Sequence, residues 1–181
     1  MALKRWLSRI LRSEGQMTHI VAGNKAPAFS LKDSNGKDYS LFALLDKGPV
    51  VAAFFKVSCP VCQFTFPFLE RLHERYSKSA TFLGISQDDS KATRKFSDEY
   101  GVTFPTPLDE SGNNYPASNA YGLTNVPTVF LIEPDGAVSI VCNGFDKKGL
   151  EEIGASLAER QHVAAAALFR PDERIPDQKP G

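Results

Sequence analysis

The sequence predicts an α/β fold in which helices cover both faces of a central mixed sheet. In the first half of the chain, short apolar runs typical of buried strands alternate with amphipathic segments typical of helices. In the second half, two apolar runs are joined around Pro134-Asp135-Gly136, which is a strong hairpin signal. Strands that alternate with helices early and form a hairpin late favour a sheet packed between helices.

The body of the chain is expected to open with a β-hairpin. A short strand is predicted over residues 27–31, and an Asn-Gly turn at Asn35-Gly36 follows it between two extended arms. Residues 41–45 form a short helical stretch. The continuous apolar run Val50–Phe55 then suits a strand that is buried on both faces.

The next segments continue the alternation of helices and strands. Residues 62–76 predict a helix with an apolar face formed by Phe64, Phe68, Leu72 and Tyr76. A buried strand is expected over residues 81–86, and an amphipathic helix over 90–100 with Ser90 as its cap. Residues 106–110 continue extended, and 113–123 suggest a turn and a short helix.

The last predicted elements are the hairpin strands and a closing helix over residues 150–168, which Gly154 interrupts mildly. On the second hairpin strand Val138, Ile140 and Cys142 alternate, so we expect them to share one face. Cys142 is therefore interpreted as a packing residue.

Length and charge restrict the classes of function. The 181 residues suffice for one domain, and 42% hydrophobic residues, with 13 Phe, provide a sizeable core. The 21 basic and 21 acidic residues cancel, so nothing favours a nucleic-acid partner. No segment approaches the roughly 18 apolar residues of a membrane-spanning helix.

We expect a folded domain over residues 23–169 and a Pro-rich flexible tail, without regular structure, over 170–181.

Residues 1–22 are interpreted as a basic amphipathic leader. Residues 1–16 place apolar side chains at helical spacing among four basic ones, which allows contact with a membrane surface. The alternatives are an exposed or partner-bound leader, or a start that lies ahead of the true one at Met17. The segment lacks a signal-peptide pattern, which favours a cytoplasmic location, with an extracytoplasmic or membrane-associated location as the alternative.

Cys59-Pro60-Val61-Cys62 is the candidate site. The pair follows a predicted strand and begins a predicted helix, where unpaired N–H groups and about half a positive charge favour a thiolate. Pro60 suits the first helical turn because its missing N–H would have no partner there. We expect Cys59, the outer thiol, to attack a disulfide and Cys62 to resolve the mixed disulfide.

Two other interpretations of the pair stay open. A closed zinc site needs four ligands, and Cys142 and the three scattered histidines supply no second pair. Two thiolates alone could hold copper(I), so a copper carrier is an alternative, as is simple core packing. No resident metal and no cofactor are expected.

A second stretch, residues 124–132, places Pro127 directly before a buried strand, which is awkward within a sheet. A cis bond between Val126 and Pro127 would bring backbone near a reactive thiol. Because cis is the minority state of such bonds, the dipeptide alone favours trans.

Together these stretches resemble the thioredoxin superfamily. The resemblance covers about residues 23–157 and is greatest to the redoxin branch, which includes TlpA/ResA-like thiol–disulfide oxidoreductases and AhpC/TSA peroxiredoxins. The matching segments are "GNKAPAFSLKDSNGK", "VVAAFF", "CPVC", "FLGISQDD", "YGVTFPTPLDESG", "VPT" and "FLIEPDG", with Pro67 five residues after Cys62.

The resemblance implies a thioredoxin-like fold with a four- or five-stranded sheet. It also implies Cys59 as nucleophile, Cys62 as resolving thiol and Pro127 as a cis-proline facing them. Substrate would contact Pro60, Val126 and Pro127. The partners would be protein disulfides or dithiols, with an upstream reductase or oxidant. Pro67 would kink the active-site helix.

The sequence departs from the family pattern at several positions. Ser58 stands where relatives have Trp, and Thr65 stands where TlpA/ResA-like proteins have an acidic residue, for which Glu70 is a possible substitute. An atypical thiol peroxidase is the alternative enzyme. Its family places Thr three residues and Pro seven residues before the reactive cysteine, whereas Lys56 and Ala52 stand there.

Overall fold

The structure is a computed structural model that describes residues 19–181. The chain enters the fold through an antiparallel hairpin of β1 (Ser30–Lys32) and β2 (Asp38–Ser40). In its turn, the Asp33 carboxylate accepts the backbone N–H groups of Asn35 at 2.8 Å and Lys37 at 3.0 Å. The predicted N-terminal hairpin is confirmed, and a short helix α1 (Leu41–Leu45) follows it.

The centre of the fold is a four-stranded mixed sheet. Its strands are β3 (Val50–Phe55), β4 (Thr81–Ser86), β5 (Thr128–Ile132) and β6 (Val138–Asn143), in the order β4-β3-β5-β6. β3 runs parallel to β4 and antiparallel to β5, and β5 is antiparallel to β6. The predicted mixed sheet is confirmed, and every residue of β3 is buried as its apolar run indicates.

Helices and the hairpin cover the two faces of the sheet. The remaining helices are α2 (Pro60–Tyr76), α3 (Ser90–Tyr100), α4 (Pro116–Ala120) and α5 (Lys147–Arg160). One set of alternate β3 residues, which includes Phe55, packs with α2, α3 and α5, and the other set, which includes Phe54, packs with the hairpin, α1 and α4. Within residues 19–181 no helix is both long and apolar enough to cross a membrane.

Several element boundaries and one helix cap differ from the sequence-based expectations, and β1, for example, spans 30–32 rather than 27–31. α2 begins at Pro60 rather than at residue 62, because Cys59 takes the cap position. α3 is capped by the Asp89 carboxylate, which accepts the Ala92 N–H at 2.8 Å, so Ser90 is its first residue. α5 ends at Arg160 instead of 168, and His162 follows with a left-handed φ of 55°.

The register of β6 corrects the expectation that Val138, Ile140 and Cys142 share one face of the sheet. Leu131 pairs with Ile140 and Ile132 pairs with Val138, so a bulge separates the two pairs. The bulge places Val138 in the cluster with the hairpin, whereas Ile140 and Cys142 lie in the cluster with α2 and α5. The three residues therefore do not share a face, because one extra residue reverses the alternation.

The C-terminal segment is ordered by pairing. A short strand β7 (Phe145–Asp146) pairs antiparallel with β8 (Gln178–Lys179). The expectation that residues 170–181 hold no regular structure is therefore wrong at β8. Residues 1–18 of the predicted leader lie outside the described part of the chain. The interpretation of residues 1–22 as a leader therefore stays a prediction.

Candidate active site

Cys59 and Cys62 lie where β3 passes into α2, as the sequence predicts. Cys59 is the cap residue of α2, with extended backbone at φ −83° and ψ 116°. The Cys62 N–H, one of the unpaired donors at the start of the helix, points at the Cys59 sulfur across 3.4 Å. The start of the helix therefore supplies a hydrogen-bond donor to the Cys59 sulfur.

The two thiols differ in exposure. Cys59 is partly exposed, whereas Cys62 is fully buried beside α3 and the sheet. Burial raises the pKa of the Cys62 thiol, and the neighbouring Cys59 and the charge of Asp88 add smaller effects in the same direction. Cys62 therefore remains protonated at neutral pH, and Cys59 is the more accessible of the two thiols.

The loop before β5 faces Cys59. The Val126–Pro127 peptide bond is cis, so the expectation from the dipeptide alone is wrong and the one implied by the family resemblance is confirmed. The Cys59 thiol donates to the Val126 carbonyl at 3.3 Å. Pro60 is exposed and Val126 is partly exposed, so both are accessible to a substrate, whereas Pro127 is buried.

Asp88 is a residue of the site that the sequence analysis missed. Its carboxylate accepts the backbone N–H of Val57 at 2.7 Å and so supports the loop that leads to Cys59. Asp88 follows β4, and the carboxyl ends of parallel neighbours meet at one edge of a sheet. The motif "FLGISQDD" therefore contains the signal, which is an acid two residues after the end of the strand that pairs with β3.

We expect Asp88→Ala to lower the free energy of unfolding by about 1–2 kcal/mol, because the Val57 N–H loses a charged acceptor. Disulfide reduction should fall as well, since the loop before Cys59 is no longer held. Asp88→Asn is the matched control, because it keeps an acceptor oxygen. Urea unfolding compares the variants, and equal stability of the two would contradict this role.

The acid–base candidates on α2 have other contacts. The buried Thr65 hydroxyl donates to the Val61 carbonyl at 2.7 Å. Glu70 is also buried, and its two oxygens accept the N–H and the hydroxyl of Thr103. Glu70 thus connects α2 to the segment after α3 and does not serve the cysteine pair. Pro67 lies inside α2, as predicted.

Cys142 is enclosed in the core. It lies in the cluster with α2 and α5, and burial, followed by the charges of Asp146 and Glu152, raises its pKa to about 12. A Cβ added at Gly149 would lie 2.5 Å from the Cys142 sulfur, so the glycine leaves room for this thiol. Among residues 19–181, no three His, Cys, Asp or Glu side chains are grouped so that they could hold a metal ion.

Comparisons with known proteins agree on one family and one fold. The sequence model of the AhpC/TSA family matches residues 22–141. The chain is 35% identical over 127 residues to the thiol-disulfide oxidoreductase ResA of Bacillus subtilis, which covers 69% of each protein. It is 30% identical over 131 residues to ResA of Geobacillus thermodenitrificans, which covers 71% of this chain and 73% of that protein.

The fold is shared with a solved structure from Chlorobium tepidum, a putative thiol:disulfide interchange protein DsbE. The match has a TM-score of 0.67 at 24% identity and covers 78% of this chain and 98% of that one. The thioredoxin-like fold expected from the sequence is confirmed.

Proposed function

The chain belongs to the AhpC/TSA family and is a thiol–disulfide oxidoreductase, and we propose that Cys59 and Cys62 are the redox pair that exchanges disulfides with protein substrates. The observation that carries this proposal is the N–H of buried Cys62 directed at the sulfur of partly exposed Cys59. It provides an activated outer thiol and a protected inner one within one helical turn.

The exchange proceeds in two displacements. The Cys59 thiolate attacks one sulfur of a substrate disulfide, a Cys59–substrate disulfide forms, and the other substrate sulfur leaves as a thiolate. Cys62 then loses its proton to solvent or to that thiolate and attacks the Cys59 sulfur. The second substrate sulfur leaves, so the substrate gains two electrons and the protein holds a Cys59–Cys62 disulfide.

Turnover requires a second partner. An upstream dithiol reductase returns the pair to thiols if the protein acts as a reductant, and an upstream oxidant supplies the disulfide if it acts in the opposite direction. The cytoplasmic location, with its extracytoplasmic or membrane-associated alternative, stays a prediction. The copper(I) carrier remains an alternative for the same two thiols.

The proposal is tested by counting thiols before and after mild oxidation with oxidised glutathione. The reduced, denatured chain has three thiols, and we expect one after oxidation, because Cys59 and Cys62 pair while Cys142 is buried with a raised pKa. Peptide mapping identifies the bonded cysteines. Cys142→Ala is the matched control and should lose the same two thiols, and a bond to Cys142 in the native chain would contradict the assignment.

A further inference from the structure

The last residues of the chain lie beside the cis-proline loop. β8 pairs with β7, and the Lys147 N–H adds a bond to the Asp177 carbonyl at 2.9 Å. The turn before β7 in turn contacts the loop, since the Gly144 N–H donates to the Pro127 carbonyl at 2.7 Å. Pairing with β7 therefore directs residues 178–181 towards the loop that faces Cys59.

Two glycines show how close this approach is. A Cβ added at Gly144 would overlap the Lys179 carbonyl oxygen and lie 2.7 Å from the Gly181 nitrogen. A Cβ added at Gly181 would overlap the Val126 carbonyl oxygen and lie 2.8 Å from the Asn125 side-chain nitrogen. The backbone of residues 179–181 thus contacts the β6–β7 turn and the loop together. The Val126 carbonyl that Gly181 approaches is the same one that accepts the Cys59 thiol.

Several contacts hold the part of the chain that leads to residues 178–181. Phe169 is buried against Phe68 and Phe145, with ring centroids 5.0 and 6.0 Å apart. Arg71 of α2 donates two hydrogen bonds to the Glu173 carboxylate. The arginine lowers the pKa of this carboxyl to about 2, so the ion pair persists at physiological pH.

The final anchor lies on the active-site helix itself. The Lys179 ammonium lies 4.4 Å from the centroid of the Phe64 ring, two residues beyond Cys62. Residues 178–181 are therefore attached to α2, to β7 and to the loop that faces Cys59.

A disulfide within an extended polypeptide presents backbone on both sides of its sulfur. To bring that sulfur to Cys59, the chain has to pass close to the backbone of partly exposed Val126, whose carbonyl lies 3.3 Å from the Cys59 sulfur, and an extended chain can pair with such backbone as a strand does. Gly181 already contacts this backbone, and residues 179 and 180 lie against the β6–β7 turn beside it. A small disulfide has no flanking backbone and needs only the sulfur of Cys59.

We propose that residues 178–181 determine the substrate specificity of the site by occupying the backbone surface at Val126 that an extended polypeptide disulfide needs. Small disulfides react directly, whereas polypeptide disulfides react only when the segment is displaced. This inference rests on the proposed redox role of Cys59.

The test compares two substrates with the same leaving group. One is 5,5′-dithiobis(2-nitrobenzoate), and the other is a linear ten-residue peptide whose central cysteine is bonded to thionitrobenzoate. Gly181→Ala displaces the end of the segment and keeps its other contacts, and a chain that lacks residues 177–181 removes it. Gly112→Ala is the matched control, because a Cβ there meets no atom within 4 Å.

We expect both altered chains to raise kcat/KM for the peptide by about three- to tenfold, since the apparent affinity grows with the fraction of open sites. The rate with the small disulfide should stay within about twofold of wild type. An unchanged or lower peptide rate in Gly181→Ala and in the truncated chain would overturn the inference and leave the oxidoreductase intact. A wild-type protein that reduces neither substrate would overturn the proposed redox role itself.

Discussion

Replacing Cys59 by serine is expected to reduce disulfide reduction to the rate measured without protein. The Cys62 N–H donates to the sulfur of Cys59, and Cys59 is the one cysteine among the described residues that is not buried. Cys62→Ser should instead retain the first attack and accumulate a mixed disulfide, because the thiol that releases the substrate is missing. Insulin reduction and mass spectrometry of the trapped species measure the two effects.

Cys142→Ala serves as the matched control, because it removes a buried thiol away from the Cys59 sulfur and should keep full activity per folded molecule. Trapping by Cys59→Ser together with free turnover by Cys62→Ser would reverse the assigned roles. Equal loss of activity in Cys142→Ala and Cys59→Ser would refute the pair altogether.

The release of substrate from the mixed disulfide should accelerate with pH. Burial raises the pKa of Cys62, so at neutral pH its thiol is protonated and only a small fraction is reactive. Each unit of pH below that raised pKa then increases the thiolate fraction, and the release rate, by about tenfold. Single-turnover measurements between pH 6 and about 9 follow this step, and a plateau near pH 7 would contradict the buried, protonated thiol.

The sequence predicted the elements that position the redox pair because their signals are local. The unbroken apolar run of β3 required burial on both faces, and Pro60 after Cys59 marked the first turn of α2. Both signals come from neighbouring residues, so the position of the cysteine pair between a strand and a helix could be inferred from the sequence. The cis bond at Pro127 was different, since the dipeptide favoured trans and only the family resemblance implied cis.

Contacts between distant segments were beyond this reasoning. Asp88 reaches Val57 only because β3 and β4 are parallel neighbours. The prolines and charges of residues 170–181 give no sign that Glu173 meets Arg71 or that Lys179 meets Phe64. A polar segment can be ordered when the partners of its charges lie elsewhere in the fold.

The faces of β6 to which Val138, Ile140 and Cys142 point could not be predicted for a related reason. Alternation predicts faces only while the pairing is regular, and the bulge beside Leu131 is set by the partner strand. Cys142 nevertheless lies in the core, which agrees with its interpretation as a packing residue. Val138, which was expected on the same face, points to the other side of the sheet.

The second large effect is discrimination between disulfides and hydrogen peroxide. A peroxidatic cysteine needs a hydroxyl and backbone N–H groups that hold the peroxide, and each positioned donor contributes on the order of 10²–10³ in rate. Lys56 stands three residues before Cys59 and is exposed. Ala52 stands seven residues before it and is buried on the hairpin side of the sheet, whereas Cys59 packs against the cluster on the other side. Neither residue therefore supplies a hydroxyl to Cys59.

The nearby threonines do not replace the missing hydroxyl. Thr65 donates to the Val61 carbonyl, and Thr128 donates to the Asn125 carbonyl at 2.8 Å. Neither threonine hydroxyl is therefore directed at the Cys59 sulfur, and Lys56 stands where the peroxidase family has its threonine. Attack on a disulfide needs no such set, because a thiolate is far less basic than the hydroxide that leaves from hydrogen peroxide and is therefore the better leaving group.

We therefore expect hydrogen peroxide to oxidise Cys59 within about tenfold of the rate of a free cysteine thiolate, because no positioned donor stabilises the transition state. Reduction of the small disulfide 5,5′-dithiobis(2-nitrobenzoate) by the same thiol should be faster by orders of magnitude. Stopped-flow measurements on Cys62→Ser isolate Cys59 as the reacting thiol, with Cys59→Ser as the blank and free cysteine at matched thiolate concentration as the reference. A peroxide rate orders of magnitude above that reference would mean that a donor set unlike the family's acts at Cys59, and the protein would then be a thiol peroxidase.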